Sequence, residues 1–152
     1  MSDCKDPIIG AWVANPTDPV TGEVFDHGNY TYNLGGTYYS ALARDIQQSV
    51  PPVAPYGAYA THSSGTWIKT GKRKYRTVTA RFLNLKDLTP GNNYVGIPSF
   101  WILATENIKL SSDKQHYMST GIAQFFAPDD LQFTTPLNST SYNVRAFRVK
   151  NK

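Results

Sequence analysis

From Phe100 to Leu110 every second residue is apolar with a single exception. A strand sends alternate side chains to opposite faces. Phe100, Ile102, Ala104, Ile108 and Leu110 therefore form one inward face, and Glu106 falls on it. A carboxyl group in such a place must be hydrogen-bonded or have its pKa raised, which suits it to anchor a ligand or to move a proton. The plainer alternative is that the interior opens to water at that level, or that a one-residue bulge turns Glu106 outward. A four-residue hairpin loop over Ser111 to Lys114 would pair Leu110 with Gln115. Ile108 then stands opposite Tyr117, Glu106 opposite Ser119, and Phe100 opposite Phe125. The candidate ligand-binding residues are Phe100, Ile102, Glu106, Ile108, Tyr117, Ser119 and Phe125. His62 joins them because it leaves a long irregular stretch just before Trp67, a position from which it is expected to look into the barrel mouth.

Other chemistry finds little support. There is no phosphate-cradling glycine loop, no Gly-x-Ser-x-Gly elbow, no His-Glu-x-x-His and no paired cysteine motif, so no catalytic residue is expected. His27, His62 and His116 are dispersed, without the close spacing that marks a zinc site, so no metal is expected either. Asp129-Asp130 follows Pro128 and reads as turn chemistry. Lys69, Lys72, Arg73, Lys74, Arg76 and Arg81 make the one basic concentration. Lys72, Lys74 and Arg76 share one strand face, which reads as a solvated outer wall rather than a nucleic-acid surface.

The elements that must carry these residues are strands. The chain has 152 residues, enough for one domain with one core, and 40% of them are hydrophobic and 13% aromatic. Only 17% are charged, and the ten tyrosines, ten prolines and eleven glycines suit pleated strands separated by turns. Strands are expected at 8–14, 29–33, 37–44, 65–70, 74–85, 94–110, 115–127 and 142–150. Tight turns fall at Gly35-Gly36 and Gly71, with a polar tail over 1–7 and a long loop or lid over 45–64. Consecutive hairpins with the last strand returning to the first predict a closed eight-stranded antiparallel up-and-down barrel. A β-sandwich is the alternative. The formal net charge is +4, a weak bias toward anionic partners. The single cysteine, Cys4, excludes an intramolecular disulfide. With no leader-like or membrane-spanning run in the sequence, a cytoplasmic location is expected.

Gly10-Ala11-Trp12 on the first strand, with Arg148 or Arg145 on the last, resembles the Gly-x-Trp start of lipocalins and the C-terminal arginine that packs over that tryptophan. Gly35-Gly36-Thr37, the stretch from His62 to Trp67, the stretch from Gly71 to Tyr75, and Leu110 to Asp113 with Tyr117 and Gly121 resemble short, uncharacterised bacterial lipocalin-like (calycin) proteins. The resemblance implies the barrel more than an activity. The chain departs from secreted lipocalins in lacking paired cysteines and the Thr-Asp-Tyr motif. Val13-Ala14-Asn15-Pro16 stands where haem-binding barrels continue glycine-rich, so no cofactor is expected. The leading functional expectation is non-catalytic binding of a small apolar or aromatic ligand inside the barrel. The alternatives are a barrel enzyme of cyclase or isomerase type and a ligand-free interaction protein.

Overall fold

A computed structural model of the chain describes residues 6–42, 56–87 and 95–150. Among them there is no helix. The strands are β1 (Gly10–Thr17), β2 (Gly28–Tyr32), β3 (Thr37–Leu42), β4 (Tyr56–Ala60), β5 (Ser63–Gly71), β6 (Lys74–Asp87), β7 (Val95–Leu110), β8 (His116–Phe126) and β9 (Asn138–Arg148). All pair antiparallel in one sheet. β4 and β5 lie end to end against β6, with β4 opposite Leu83–Asp87 and β5 opposite Lys74–Ala80, so together they make one stave. β1 pairs with β9 and β6 with β7, so the staves form a single ring, which gives the closed eight-stranded barrel and leaves the sandwich aside. Closure removes the exposed edges that an open sheet presents.

Turn chemistry sets the hairpins. Gly35 and Gly36 take φ of 90° and 85°, the left-handed region that a side chain disfavours, and they link β2 to β3. Arg73 and Lys114 adopt φ near 60° in the β5–β6 and β7–β8 turns.

Three expectations change. The β7–β8 loop is Ser112 to Gln115, because Ser111 N–H donates to the His116 carbonyl and Leu110 pairs with Tyr117. Asp113 sets this choice by accepting from Ser111 Oγ and from Gln115 N–H, a local turn that starts one residue later than expected. Every pair therefore slides by two. Glu106 stands opposite Gly121, Ile108 opposite Ser119 and Ile102 opposite Phe125. A slide of two preserves which face each residue takes. The loop expected over 45–64 also gives way to strand from Tyr56 onward, interrupted only at Thr61-His62; its earlier part, 45–55, lies outside the described residues. Finally, the tail expected over 1–7 is structured at Asp6 and Pro7, while 1–5 lie outside the described residues. Asp6 accepts from Tyr75 Oη (2.5 Å) and pairs with Lys69 Nζ (2.9 Å).

The interior has two tiers. The closed end is solid with Ile8, Trp12, Tyr32, Tyr75, Tyr117, Leu110 and Val144, all essentially inaccessible to solvent. The Arg148 guanidinium lies 4.3 Å from the centre of the Trp12 ring, and Trp12 Nε1 donates to the Ile8 carbonyl. Tyr117 meets Trp12 edge-on at 5.0 Å and accepts from Tyr32 Oη at 3.0 Å. Above this aromatic floor the barrel is hollow.

Candidate functional site

The upper tier holds a cavity of about 470 Å³. That lies within the range of small-molecule pockets. Below it, four register partners form one row on the inward face, Thr77 on β6, Glu106 on β7, Gly121 on β8 and Tyr142 on β9, of which Glu106 and Tyr142 line the cavity. Gly121 is the enabling residue. A Cβ there would meet the Tyr142 ring at 2.4 Å, so only glycine lets that ring lie across β8 and reach Glu106. Tyr142 Oη donates to Glu106 Oε1 (3.1 Å), and Ser119 Oγ donates to Oε2 (3.0 Å).

Glu106 is 5% exposed. Burial raises its pKa to about 7, against the lowering effect of the Ser119 and Tyr142 hydrogen bonds. Desolvation dominates because two neutral donors replace only part of the hydration a carboxylate loses. Burial likewise holds the phenols of Tyr30, Tyr38 and Tyr142 well above their ordinary range, and the Glu106 charge adds to the effect, so these groups remain protonated donors.

The walls combine two surfaces. Leu42, Leu83, Ile102, Ala104, Ala123 and Phe125 supply an apolar side, while Ser40, Ser63 and Thr79 add hydroxyls from β3, β5 and β6. Arg81 reaches the cavity from β6, and its positive charge favours the ionised forms of Tyr30 and Tyr142. At the rim, Asp18, Phe25 and Asp26 come from the β1–β2 connection, and buried Asp26 accepts the His27 N–H at 2.8 Å.

Of the residues selected from sequence, Ile102, Glu106 and Phe125 line the cavity. Ser119 is buried and acts on it through Glu106. Ile108 and Tyr117 are part of the packed floor instead, one level too deep to be reached. Phe100 is half-buried near the mouth and is not among the lining residues. His62 is turned away from the interior. Its neighbour Ser63 points inward and lines the cavity, so alternation sends His62 to the outer surface, where it hydrogen-bonds Tyr39 Oη. Tyr30, Tyr38, Ser40, Thr79, Arg81 and Tyr142 were not selected. The alternation Tyr30-x-Tyr32 with Tyr38-x-Ser40 around Gly35-Gly36 carried that signal, as did Tyr142-x-Val144-x-Ala146 on the last strand.

No three His, Cys, Asp or Glu side chains converge among the described residues, and no described helix is long and apolar enough to cross a membrane. No protein-family model, no curated protein and no solved structure matches this chain.

Proposed function

We infer that this lipocalin-like barrel binds, without converting it, one small molecule with an apolar or aromatic body and a polar oxygen directed at the floor. The observation that carries this reading is the 470 Å³ cavity with its apolar wall ending on Glu106 and Tyr142. Near neutral pH a carboxyl with a pKa of about 7 exists in both protonation states, so it can donate to a ligand oxygen or accept from a ligand hydroxyl. The single Cys4 suits a reducing, cytoplasmic setting. The test is titration with 1-anilinonaphthalene-8-sulfonate followed by its fluorescence. One saturable site is expected in the wild type, and it should vanish in Ala104→Phe, which fills the cavity, while the melting profile stays cooperative. Dye binding unaffected by the filled cavity would refute interior binding.

A second reading, a cyclase- or isomerase-like barrel enzyme, is favoured by Glu106 itself. A general acid–base works best with a pKa near the working pH, and Glu106 sits at about 7 with phenols beside it. Turnover of a ligand found bound to the protein, lost in Glu106→Gln, would move the assignment from binding to catalysis.

A further inference from the structure

The outer wall of the barrel is as patterned as the inner one. Lys74 on β6, Lys109 on β7, Met118 on β8 and Arg145 on β9 are successive register partners and all point outward. Strands lie about 4.8 Å apart, so this row runs roughly 14 Å across four staves. Arg76 stands one step toward the mouth from Lys74, while Lys72 and Lys114 flank the row in the turns toward the closed end, and all three are exposed. Among the described residues no ion pair joins any of these cations to a carboxylate. Of the acids at this end, Asp113 is engaged in its own turn and Asp6 is paired with Lys69 and Tyr75.

Apolar side chains lie among the cations. Met118 is 56% exposed and Phe147 52%, and Val13 pairs with Phe147 on the same outward face. Apart from Asp113, the described exposed acids gather at the opposite end: Asp18 and Glu23 in the β1–β2 connection, and Asp129 and Asp130 after β8. The molecule is therefore polarised, with a basic and partly apolar wall toward the closed end and an acidic rim around the mouth.

We propose that the outer wall of β6–β9 docks on the surface of a bilayer containing anionic phospholipid, with Lys74, Lys109 and Arg145 over the headgroups and Met118 and Phe147 between them. Both halves of the patch are needed for this match. Cations are drawn to an anionic leaflet, and an exposed thioether and phenyl ring gain by leaving water at the headgroup boundary. A single-stranded nucleic acid fits less well. Such strands are held in grooves lined by stacking rings, whereas this wall is the convex side of a closed barrel and two of its apolar groups, Met118 and Val13, have no face on which a base could stack. The inference is independent of what the cavity binds.

The experiment is co-sedimentation of the full chain with vesicles of phosphatidylcholine containing roughly 30% phosphatidylserine, against vesicles of phosphatidylcholine alone. Binding at ~0.1 M salt is expected to be at least tenfold tighter to the anionic vesicles and to be released at ~0.5 M salt. The charge reversal Lys74→Glu with Lys109→Glu and Arg145→Glu should weaken it by about tenfold or more. If that variant misfolds, the same three positions changed to Gln give the same comparison. Phe147→Ser should weaken binding several-fold with every cation retained, an effect that purely coulombic attachment would not show. Equal binding to both vesicle types, indifference to the charge changes, or displacement from the vesicles by a thymidine oligonucleotide would each overturn the proposal.

Discussion

Glu106 carries an unusual energetic burden, because its carboxyl is more acidic in the unfolded chain than in the barrel. With a pKa raised from 4.5 to about 7, the folded protein binds the extra proton between those values. The associated stability is fully present below about 4.5 and is lost as the pH rises through 7. The difference amounts to about 3 kcal/mol. Glu106→Gln should abolish this dependence, so the variant should match the wild type near pH 4.5 and exceed its unfolding free energy at pH 8. Urea titrations at the two pH values measure it, and parallel curves for the two proteins would show that Glu106 is not desolvated. Trp12 is the complementary case, a residue whose role is packing. It is wholly buried, donates to Ile8 and carries Arg148 across its ring. Trp12→Ala should cost ~3–5 kcal/mol by denaturant unfolding, as large-to-small core changes do.

At the scale of elements, the β7–β8–β9 wall is where register turns into chemistry. Tyr142 reaches Glu106 only because Gly121 leaves β8 bare between them. Gly121→Ala should push the ring aside and remove the donor to Oε1. The Glu106 pKa should then rise above its wild-type value, since the lost hydrogen bond favoured the anion. Carboxyl titration by NMR reads this directly, and an unchanged pKa would mean that Tyr142 contributes nothing there. The same wall shows what was legible in the sequence. The period-two face from Ile102 to Leu110 placed Glu106 inward without any structure. The pairing was not legible to that precision, because Asp113 caps a turn one residue later than the one expected, and a hairpin doubles such an offset. Which inward residues line the cavity and which fill the floor was also hidden. Alternation reports the face of a strand but not the depth along the barrel, so Tyr117 and Ile102 carry the same pattern at different levels.

For the molecule as a whole, a barrel with one hollow tier needs its other end sealed, and that seal comes from the stretch just before β1. Ile8 is completely buried, and its carbonyl accepts from Trp12 Nε1. The Arg148 guanidinium donates to the carbonyls of Ile9, Pro7 and Lys114, tying the segment to the end of β9 and to the β7–β8 turn. Asp6 bridges Tyr75 and Lys69 across the base of β5 and β6. Burial opposes ionisation of Asp6, but the hydrogen bonds from Tyr75, Lys69 and the Ile8 backbone outweigh it and hold the carboxyl below its ordinary value of 3.8. The contribution of Asp6 is therefore present above that value and is lost as the pH falls through the lower folded-state pKa. Removal of residues 1–9 exposes the Trp12 edge, deletes the Ile8 side chain and leaves Arg148 without two of its acceptors. Burial of one large aliphatic side chain contributes roughly 1.5–3 kcal/mol, and each lost hydrogen bond to a charged group adds about 1.5 kcal/mol or more. The truncated chain should accordingly lose at least ~3 kcal/mol in urea unfolding at pH 7. It should also show fast hydrogen exchange at Tyr75 and Tyr117, whose amides lie at the unsealed end. A truncated protein as stable as the full chain, with those amides still protected, would mean that the strands close this end without the segment.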